Sequence, residues 1–298
     1  MISEKTTGAL TRRAPAKINL ALDILGPRPD GYHDMSMVMQ AVELGDRVSL
    51  RETAEGFSLR GAGGLPFSLP EGKPSLEQRA AEAFFATAGR PMPGLAVELE
   101  KTVPAYAGLG GGSADVAALL RLLRDAYAPD LSTAELERIG LLVGSDVPFC
   151  VRGGTCRAEG RGEILTDLPP LPPCRIVLCK PGFGIPTPEL FARAHGKTFR
   201  RKPDVSGMAE ALSRGDLAGA ASRLCNVFEE VLPPSCREVF RIKERLLDLG
   251  ALNAAMSGSG PTVFGLFREE DGAERAAAVL RERYAQTFVT VPLGRTAD

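Results

Sequence analysis

The chain has 298 residues, which at ~150 residues per domain suggests two domains. Its 36 Lys and Arg nearly balance 37 Asp and Glu, for a net charge of −1. That balance argues against a nucleic-acid partner, which needs an excess of basic residues, though one loop can still hold a small phosphorylated ligand. No run of 18 apolar residues is present to span a membrane, Met1 to Lys17 carries no signal-like apolar core, and six cysteines without a C-x-x-C pair beside two histidines argue against structural zinc and for reduced thiols in a cytoplasmic protein.

In chain order, Lys17 to Leu25 reads as the first strand, with Ile18, Leu20, Leu22 and Ile24 alternating against Lys17, Asn19, Ala21 and Asp23. Period two makes it half-buried and puts Lys17 and Asn19 on one non-core face. Met35–Leu44, Arg47–Arg51 and Leu95–Glu100 are further predicted strands. Ser75-Leu76-Glu77-Gln78 is a capping-box signature opening a helix that stops near Gly89. A helix from Ser113 carries Val116, Leu119, Leu120, Leu123 and Tyr127 on one face, and Ser132…Glu135 opens another helix, with Leu131 and Leu136 as its hydrophobic staple.

Leu168-Pro169-Pro170-Leu171-Pro172-Pro173 cannot sit in a helix or a central strand. It is read as the linker between an N-terminal phosphate-binding domain, 1–168, and a C-terminal substrate-side domain, 169–298. Beyond it the predicted order is strand Arg175–Cys179, helices near Pro188–Ala194, Val205–Leu224 and Ser235–Leu249 (capped by Ser235…Glu238), strands Ala251–Ser257 and Thr262–Phe267, helix Gly272–Ala285, and strand Thr287–Pro292. This is a split-βαβ, ferredoxin-like pattern with extra helices in its first crossover. The fold class is therefore α+β: a mixed β/α domain with a glycine-rich loop, followed by a split-βαβ domain.

The strongest local signal is Pro104-Ala105-Tyr106-Ala107-Gly108-Leu109-Gly110-Gly111-Gly112-Ser113. Four glycines in five residues before an amphipathic helix let a ligand approach the backbone. Loop amides and the helix N-terminus can then surround a phosphate. Ser113 can cap the helix or offer its hydroxyl to phosphate or Mg²⁺. The P-loop pattern is excluded because Ser113-Ala114 stands where Lys-Ser/Thr is required. A dinucleotide fingerprint should follow a strand directly, whereas Lys101 to Ala107 intervene. Three other motifs have ordinary readings when taken alone. Asp30-Gly31-Tyr32-His33 suits a hairpin turn, and Gly144-Ser145-Asp146-Val147-Pro148-Phe149 suits a local Asp turn. Ser257-Gly258-Ser259-Gly260-Pro261 suits a turn or a second glycine-rich wall.

Together, Ala14-Pro15-Ala16-Lys17-Ile18-Asn19-Leu20 with Asp30-Gly31-Tyr32-His33, the glycine loop with Ala114-Asp115, and Gly250 to Phe267 resemble the GHMP family of small-molecule kinases, in the family's order and over nearly the whole chain. The resemblance implies ATP- and Mg²⁺-dependent phosphoryl transfer to an alcohol. The Tyr32-His33 turn, Gly144–Phe149 and Ile185-Pro186-Thr187-Pro188 point to an acceptor with a cytidine diphosphate head. By this analogy Asp146 is the general base and Lys17 its cationic partner, a combination that makes chemical sense for a weakly nucleophilic alcohol. Asn19, Tyr32, His33, Thr187, Pro188 and Phe191 would bind the acceptor. Pro104, Ala107, Gly108, Leu109, Gly110, Gly111, Gly112 and Ser113 would hold ATP, with Lys101 and Ser75 near the nucleotide. Phe191 reads equally as a core aromatic, Lys101 as a solvated strand-end lysine, and Ser75 as a helix cap standing where the family often has Asn. No residue is assigned as an acidic metal ligand; Asp115 is first a helix-start residue. A monomer or weak homodimer is expected.

Overall fold

A computed structural model describes residues 8–66 and 72–295. The first half runs β1 (Leu10–Pro27), β2 (His33–Thr53), β3 (Phe57–Gly64), α1 (Leu76–Thr87), β4 (Gly94–Lys101), α2 (Gly111–Tyr127), α3 (Thr133–Leu141), α4 (Val147–Arg152), β5 (Thr155–Gly160) and β6 (Ile164–Asp167). The second runs β7 (Arg175–Lys180), α5 (Thr187–Ala194), α6 (Val205–Ser213), α7 (Leu217–Ser222), β8 (Cys225–Asn226), α8 (Arg237–Asp248), β9 (Asn253–Met256), β10 (Val263–Phe267), α9 (Glu270–Arg281) and β11 (Gln286–Thr290).

Among the described residues the strands form two sheets. The larger has the order β3-β4-β2-β1-β8, with β5 also pairing to β2 and β6 to β5. The smaller, β11-β7-β10-β9, is antiparallel throughout. This is the split-βαβ arrangement expected from the order of elements. The halves interlock: β8 adds to β1 in parallel, Val42 bridges to Pro292, and Gly153 to Arg295. Two of the three apolar clusters mix residues from both sides of the proline run. No helix among the described residues is long and apolar enough to cross a membrane.

The first strand departs from its predicted pattern in an informative way. Asn19 pairs with Met39 but Ala21 pairs with Val38, leaving Leu20 as an extra residue in a β-bulge. Up to Asn19, the side chains of Lys17 and Asn19 share a face with Met39 and Ala41. After the bulge Leu22 and Ile24 take over that face, opposite Met37 and Met35. Ile18, Leu20 and Ala21 pack on the other side with Val38. Lys17 and Asn19 are therefore not on a solvent face; they are only 4% and 1% exposed.

Other expectations are corrected by local chemistry. Met35–Leu44 and Arg47–Arg51 belong to one continuous strand, β2. The predicted helix Val205–Leu224 is two helices, because Gly215 sits at φ +64° and the Asp216 side chain accepts from Gly219 N to start a new helix. Ser235 does not cap α8: the cap position is Cys236 with no side-chain bond, and Glu238 pairs instead with Tyr284, Arg241 and Arg283. Ser132 and Glu135 form the complete capping box. Ser75 is half of one: its hydroxyl accepts from Gln78 N at 3.1 Å while the Gln78 side chain turns to Glu82. Strands β3, β5, β6 and β8 and helix α4 were not anticipated.

Candidate active site

A cleft of about 1190 Å³ brings the predicted site residues together. Lys17, Asn19, Tyr32, His33, Ser75, Lys101, Pro104, Ala107 through Ser113, Asp146, Thr187, Pro188 and Phe191 all line it.

One wall is the glycine loop. Helix α2 starts at Gly111, two residues before the predicted start, and its cap position is Gly110 at φ +70° with no side-chain cap. Ser113 is thus the third helical residue, and its hydroxyl is not spent on capping. The uncapped first turn presents amides and the positive end of a 17-residue helix dipole to the cleft. Two glycines are required by close approach. A Cβ on Gly108, at φ +74°, would lie 2.1 Å from the Ser257 carbonyl oxygen; one on Gly110 would lie 3.0 Å from the Lys17 side chain. The Ser257–Pro261 segment is therefore the second glycine-rich wall. The Ser257 hydroxyl donates to the Gly108 carbonyl at 2.9 Å, and buried Asn226 on β8 donates to the carbonyls of Met256 and Gly258.

The charged pair packs directly against both glycine segments, with a Cβ on Gly258 falling 3.0 Å from Lys17 Nζ. The Lys17 ammonium donates to Asn19 Oδ1 at 2.7 Å and lies 3.4 Å from Asp146 Oδ2. The Lys17 amide also donates to the Leu109 carbonyl at 3.0 Å, tying β1 to the loop. Asp146 is the cap residue of α4, but its carboxylate makes no capping bond and is one-third exposed toward the cleft. Residues 129 positions apart in sequence thus meet at the mouth of the glycine loop.

Beneath the loop lies a group that the sequence did not disclose. The Lys101 ammonium is held between the carboxylates of Asp46 and Asp115. The other oxygen of Asp46 accepts the amides of Thr102 and Val103, at 2.5 and 2.7 Å. All three side chains are at least nine-tenths buried. Burial pushes Asp115 up to about 8 against the pull of Lys101. Although burial works against its charge, Lys101 is held above the ordinary 10.5 by Asp115 and Asp46. Asp115 is one of the residues lining the cleft, and its Oδ1 is buried without a hydrogen-bond partner.

The far end of the cleft is aromatic. His33 packs against Phe191 at 5.2 Å between ring centroids and lies edge-on to His195 at 5.9 Å; Phe191 meets Phe228 at 5.0 Å. Phe191 lines the cleft and also packs against the core. Thr187 and Ser259 hydroxyls are 2.8 Å apart, closing α5 onto the second glycine turn. His33 Nε2 is buried and unpaired. Burial, and then the neighbouring His195, hold His33 below the usual imidazole value of 6.5. It is neutral at pH 7, and the stability that this neutral form contributes above pH ~6.5 is lost as the pH falls through its depressed value. With two histidines in the chain, a ring-nitrogen NMR titration should give one of them, His33, an apparent pKa below 6.5; two rings titrating at or above that value would contradict the burial described here. Asp46, Arg161, His195 and Asn226 are cleft or support residues that sequence reasoning missed. The one available signal was the Gly160-Arg161-Gly162 turn.

A glycine-rich, uncapped helix start, a carboxylate–ammonium pair beside it, and two interlocked α+β halves suit a small-molecule kinase. Family models described as the GHMP kinases N terminal domain and GHMP kinases C terminal match residues 75–154 and 208–286, and the chain belongs to the GHMP kinase family. It is 45% identical over 94% of its length to a protein of Pelotomaculum thermopropionicum named 4-diphosphocytidyl-2-C-methyl-D-erythritol kinase, covering 97% of that protein. It is 43% identical, again over 94% of its length and 98% of the relative, to one of the same name from Moorella thermoacetica. A crystal structure of 4-(cytidine 5'-diphospho)-2C-methyl-D-erythritol kinase matches 96% of this chain and all of that one, with a TM-score of 0.79 and 33% identity. A homoserine kinase from Cytophaga hutchinsonii shares the fold at a TM-score of 0.77 and 18% identity, over 99% of this chain and 98% of that one.

Proposed function

We propose that the chain is an ATP-dependent kinase that phosphorylates the 2-hydroxyl of 4-diphosphocytidyl-2-C-methyl-D-erythritol, a step of the non-mevalonate route to isoprenoid precursors. The observation that carries the reading is the Lys17–Asp146 pair, 3.4 Å apart, in one cleft with the uncapped glycine loop and an aromatic far end. The near full-length similarity to kinases of that name supports the choice of acceptor.

In this reading the amides of Gly108 to Ser113 hold the terminal phosphates of ATP, and Ser75, Pro104 and the rim around Leu76 lie toward the base. Asp146 takes the proton of the acceptor hydroxyl as its oxygen attacks phosphorus, a role that needs a carboxylate within ~3 Å of that hydroxyl. Lys17, kept in place by Asn19, offsets charge on the transferring oxygens. Lys101 has both carboxylate contacts filled, so its service to the nucleotide is to fix Asp115 and the 101–103 turn. The Ser113 hydroxyl and the unpartnered Asp115 oxygen are hard donors that suit Mg²⁺, with the remaining positions left to phosphate oxygens and water. When bound, the cation would neutralise phosphate charge. Tyr32, His33, Thr187, Pro188 and Phe191 bind the cytidine end.

The direct test is a mass spectrum of the product after incubation with ATP and the cytidyl acceptor, which should show one added phosphate. Mevalonate, homoserine and CMP serve as competing acceptors; equal or better turnover of any of them overturns the assignment. Tyr32→Ala should raise the KM for the cytidyl acceptor by ~10-fold, the loss of one base–aromatic contact. An unchanged KM would move the reading to a GHMP kinase with a different acceptor.

A further inference from the structure

The smaller sheet ends beside the reacting groups, and its last peptide groups are held by side chains. Among the described residues β9 is an edge strand, paired only to β10, so buried backbone groups on its free side need partners from elsewhere. Met256, its last residue, is fully buried. Its amide donates to Glu229 Oε1 at 3.0 Å, and its carbonyl accepts from Asn226 Nδ2 at 2.7 Å. The same Nδ2 donates to the Gly258 carbonyl at 2.8 Å, while Asn226 Oδ1 accepts the Phe228 amide at 3.0 Å. Both donors and the oxygen of that side chain are thus engaged, which fixes its orientation. Glu229 is fixed in turn: its second oxygen accepts from Lys243 at 2.7 Å and from Arg201 at 3.2 Å.

The segment held in this way is the one that touches the reacting groups. Ser257 donates to the Gly108 carbonyl, and an added Cβ on Gly258 would lie 3.0 Å from Lys17 Nζ and 3.4 Å from Asn19 Oδ1. Gly258 and Gly260, at φ +54° and +73°, have no side chains with which to stiffen the turn, so its position is set from outside. Asn226 belongs to the larger sheet through β8, and Glu229 to the 3-10 turn Val227–Val231 that follows it. Neither lines the cleft. The contact therefore also registers one half of the molecule against the other at the site.

Resting on the role given above to Lys17, we propose that Asn226 and Glu229 are positioning residues for phosphoryl transfer. They set the place of the Ser257–Pro261 turn, and through it the seat of the Lys17 ammonium beside Asn19, Asp146 and the glycine loop. A displacement of about 1 Å in such a seat is enough to cost ~10²-fold in rate.

The test is single-turnover phosphorylation at saturating ATP and acceptor, with thermal unfolding measured alongside. Asn226→Asp keeps the shape of the side chain but withdraws its two donors, and should slow transfer by ~10- to 100-fold. Glu229→Ala removes the acceptor of the Met256 amide and should cost ~10-fold or more. Glu229→Gln keeps an acceptor oxygen and should recover most of that loss. Both Glu229 variants discard the charge facing Lys243 and Arg201, so both should melt earlier by a similar amount: stability follows the charge, and rate follows the hydrogen bond. In a Lys17→Ala background the Asn226→Asp penalty should shrink to ~2-fold or less, because two changes acting through one group do not add. Parental rates in Asn226→Asp and Glu229→Ala, beside a slow Lys17→Ala, refute this proposal alone. So does a Glu229→Gln enzyme as slow as Glu229→Ala, or a full Asn226→Asp penalty in the Lys17→Ala background; either would mean that the pair braces the fold without acting through Lys17. If Asn226→Asp does not fold, the two Glu229 variants decide. A Lys17→Ala enzyme with the parental rate overturns the role of Lys17 and this proposal together, and a wild type that does not phosphorylate the acceptor refutes the acceptor reading first.

Discussion

Asp146→Asn should lower kcat by ~10²–10⁴, the usual loss when a general base is removed, with KM values close to those of the parent. The substitution keeps the side chain's size and hydrogen-bonding reach and removes the ability to take a proton. It should also leave the fold alone. Asp146 stands at the start of α4, but its carboxylate contributes no capping bond, so replacing it removes no helix-start interaction of the kind worth about 1 kcal/mol. Thermal unfolding of the variant should therefore superpose on the parent's, while single-turnover phosphorylation slows. A variant with near-normal kcat would sink the proposed role. A variant that loses rate and melts early together would mean that the Lys17–Asp146 contact is structural.

The second large effect is on stability. Lys101→Ala leaves Asp46 and Asp115 facing each other with no cation between them, both with 2% or less of the side chain exposed. Removing one partner from a buried ionic group destabilises by about 3–5 kcal/mol. Denaturant unfolding at pH 7 should show that loss. It should be pH-dependent with a definite sign. Without the ammonium, the folded pKa of Asp115, already raised by burial, rises further above its unfolded value, so its stability contribution is full below about pH 4 and is lost as the pH rises. The deficit should thus shrink on acidification and grow toward pH 8. Lys101→Ala combined with Asp115→Asn should recover part of it. A uniform deficit from pH 4 to pH 8 would show that the three groups do not interact as drawn.

What could be read from the sequence and what could not divides along a physical line. The glycine loop was legible because part of its signal is local: Gly108 and Gly110 take φ of +74° and +70°, whereas the close approach of Ser257 and Lys17 to them is a long-range fact that no short stretch of sequence carries. Ser132 declared its helix start through a local signal too. The ferredoxin-like order of the second half followed from punctuated apolar runs. The Asp46–Lys101–Asp115 group was not legible, because Asp46 and Lys101 are 55 positions apart and a lone Gly-Asp reads as a turn wherever it occurs. Arg161 was missed because an arginine in a tight turn has the same local appearance whether it faces solvent or a cleft. Ser235 misled because Ser-x-x-Glu describes a capping box only if the Glu side chain is free, and Glu238 has three partners, Arg241 on α8 and Arg283 and Tyr284 just beyond α9. The roles proposed for Lys17 and Asp146 rest on family resemblance; strand period alone says only that Lys17 and Asn19 share a non-core face.

The bulge at Leu20 has a consequence for how the first strand tolerates change. It is a phase slip that lets a single strand give the cleft a lysine and an asparagine early on and two aliphatic anchors later. Pairing Leu20 in strict alternation instead of bulging it out would, with Leu22 and Ile24 kept in their seats, turn Lys17 and Asn19 to the opposite face, away from Asp146. Removing Leu20 alone keeps the facing, because Asn19 and Ala21 already pair with the consecutive residues Met39 and Val38; what the cleft depends on is that Leu20, while present, stays out of the pairing.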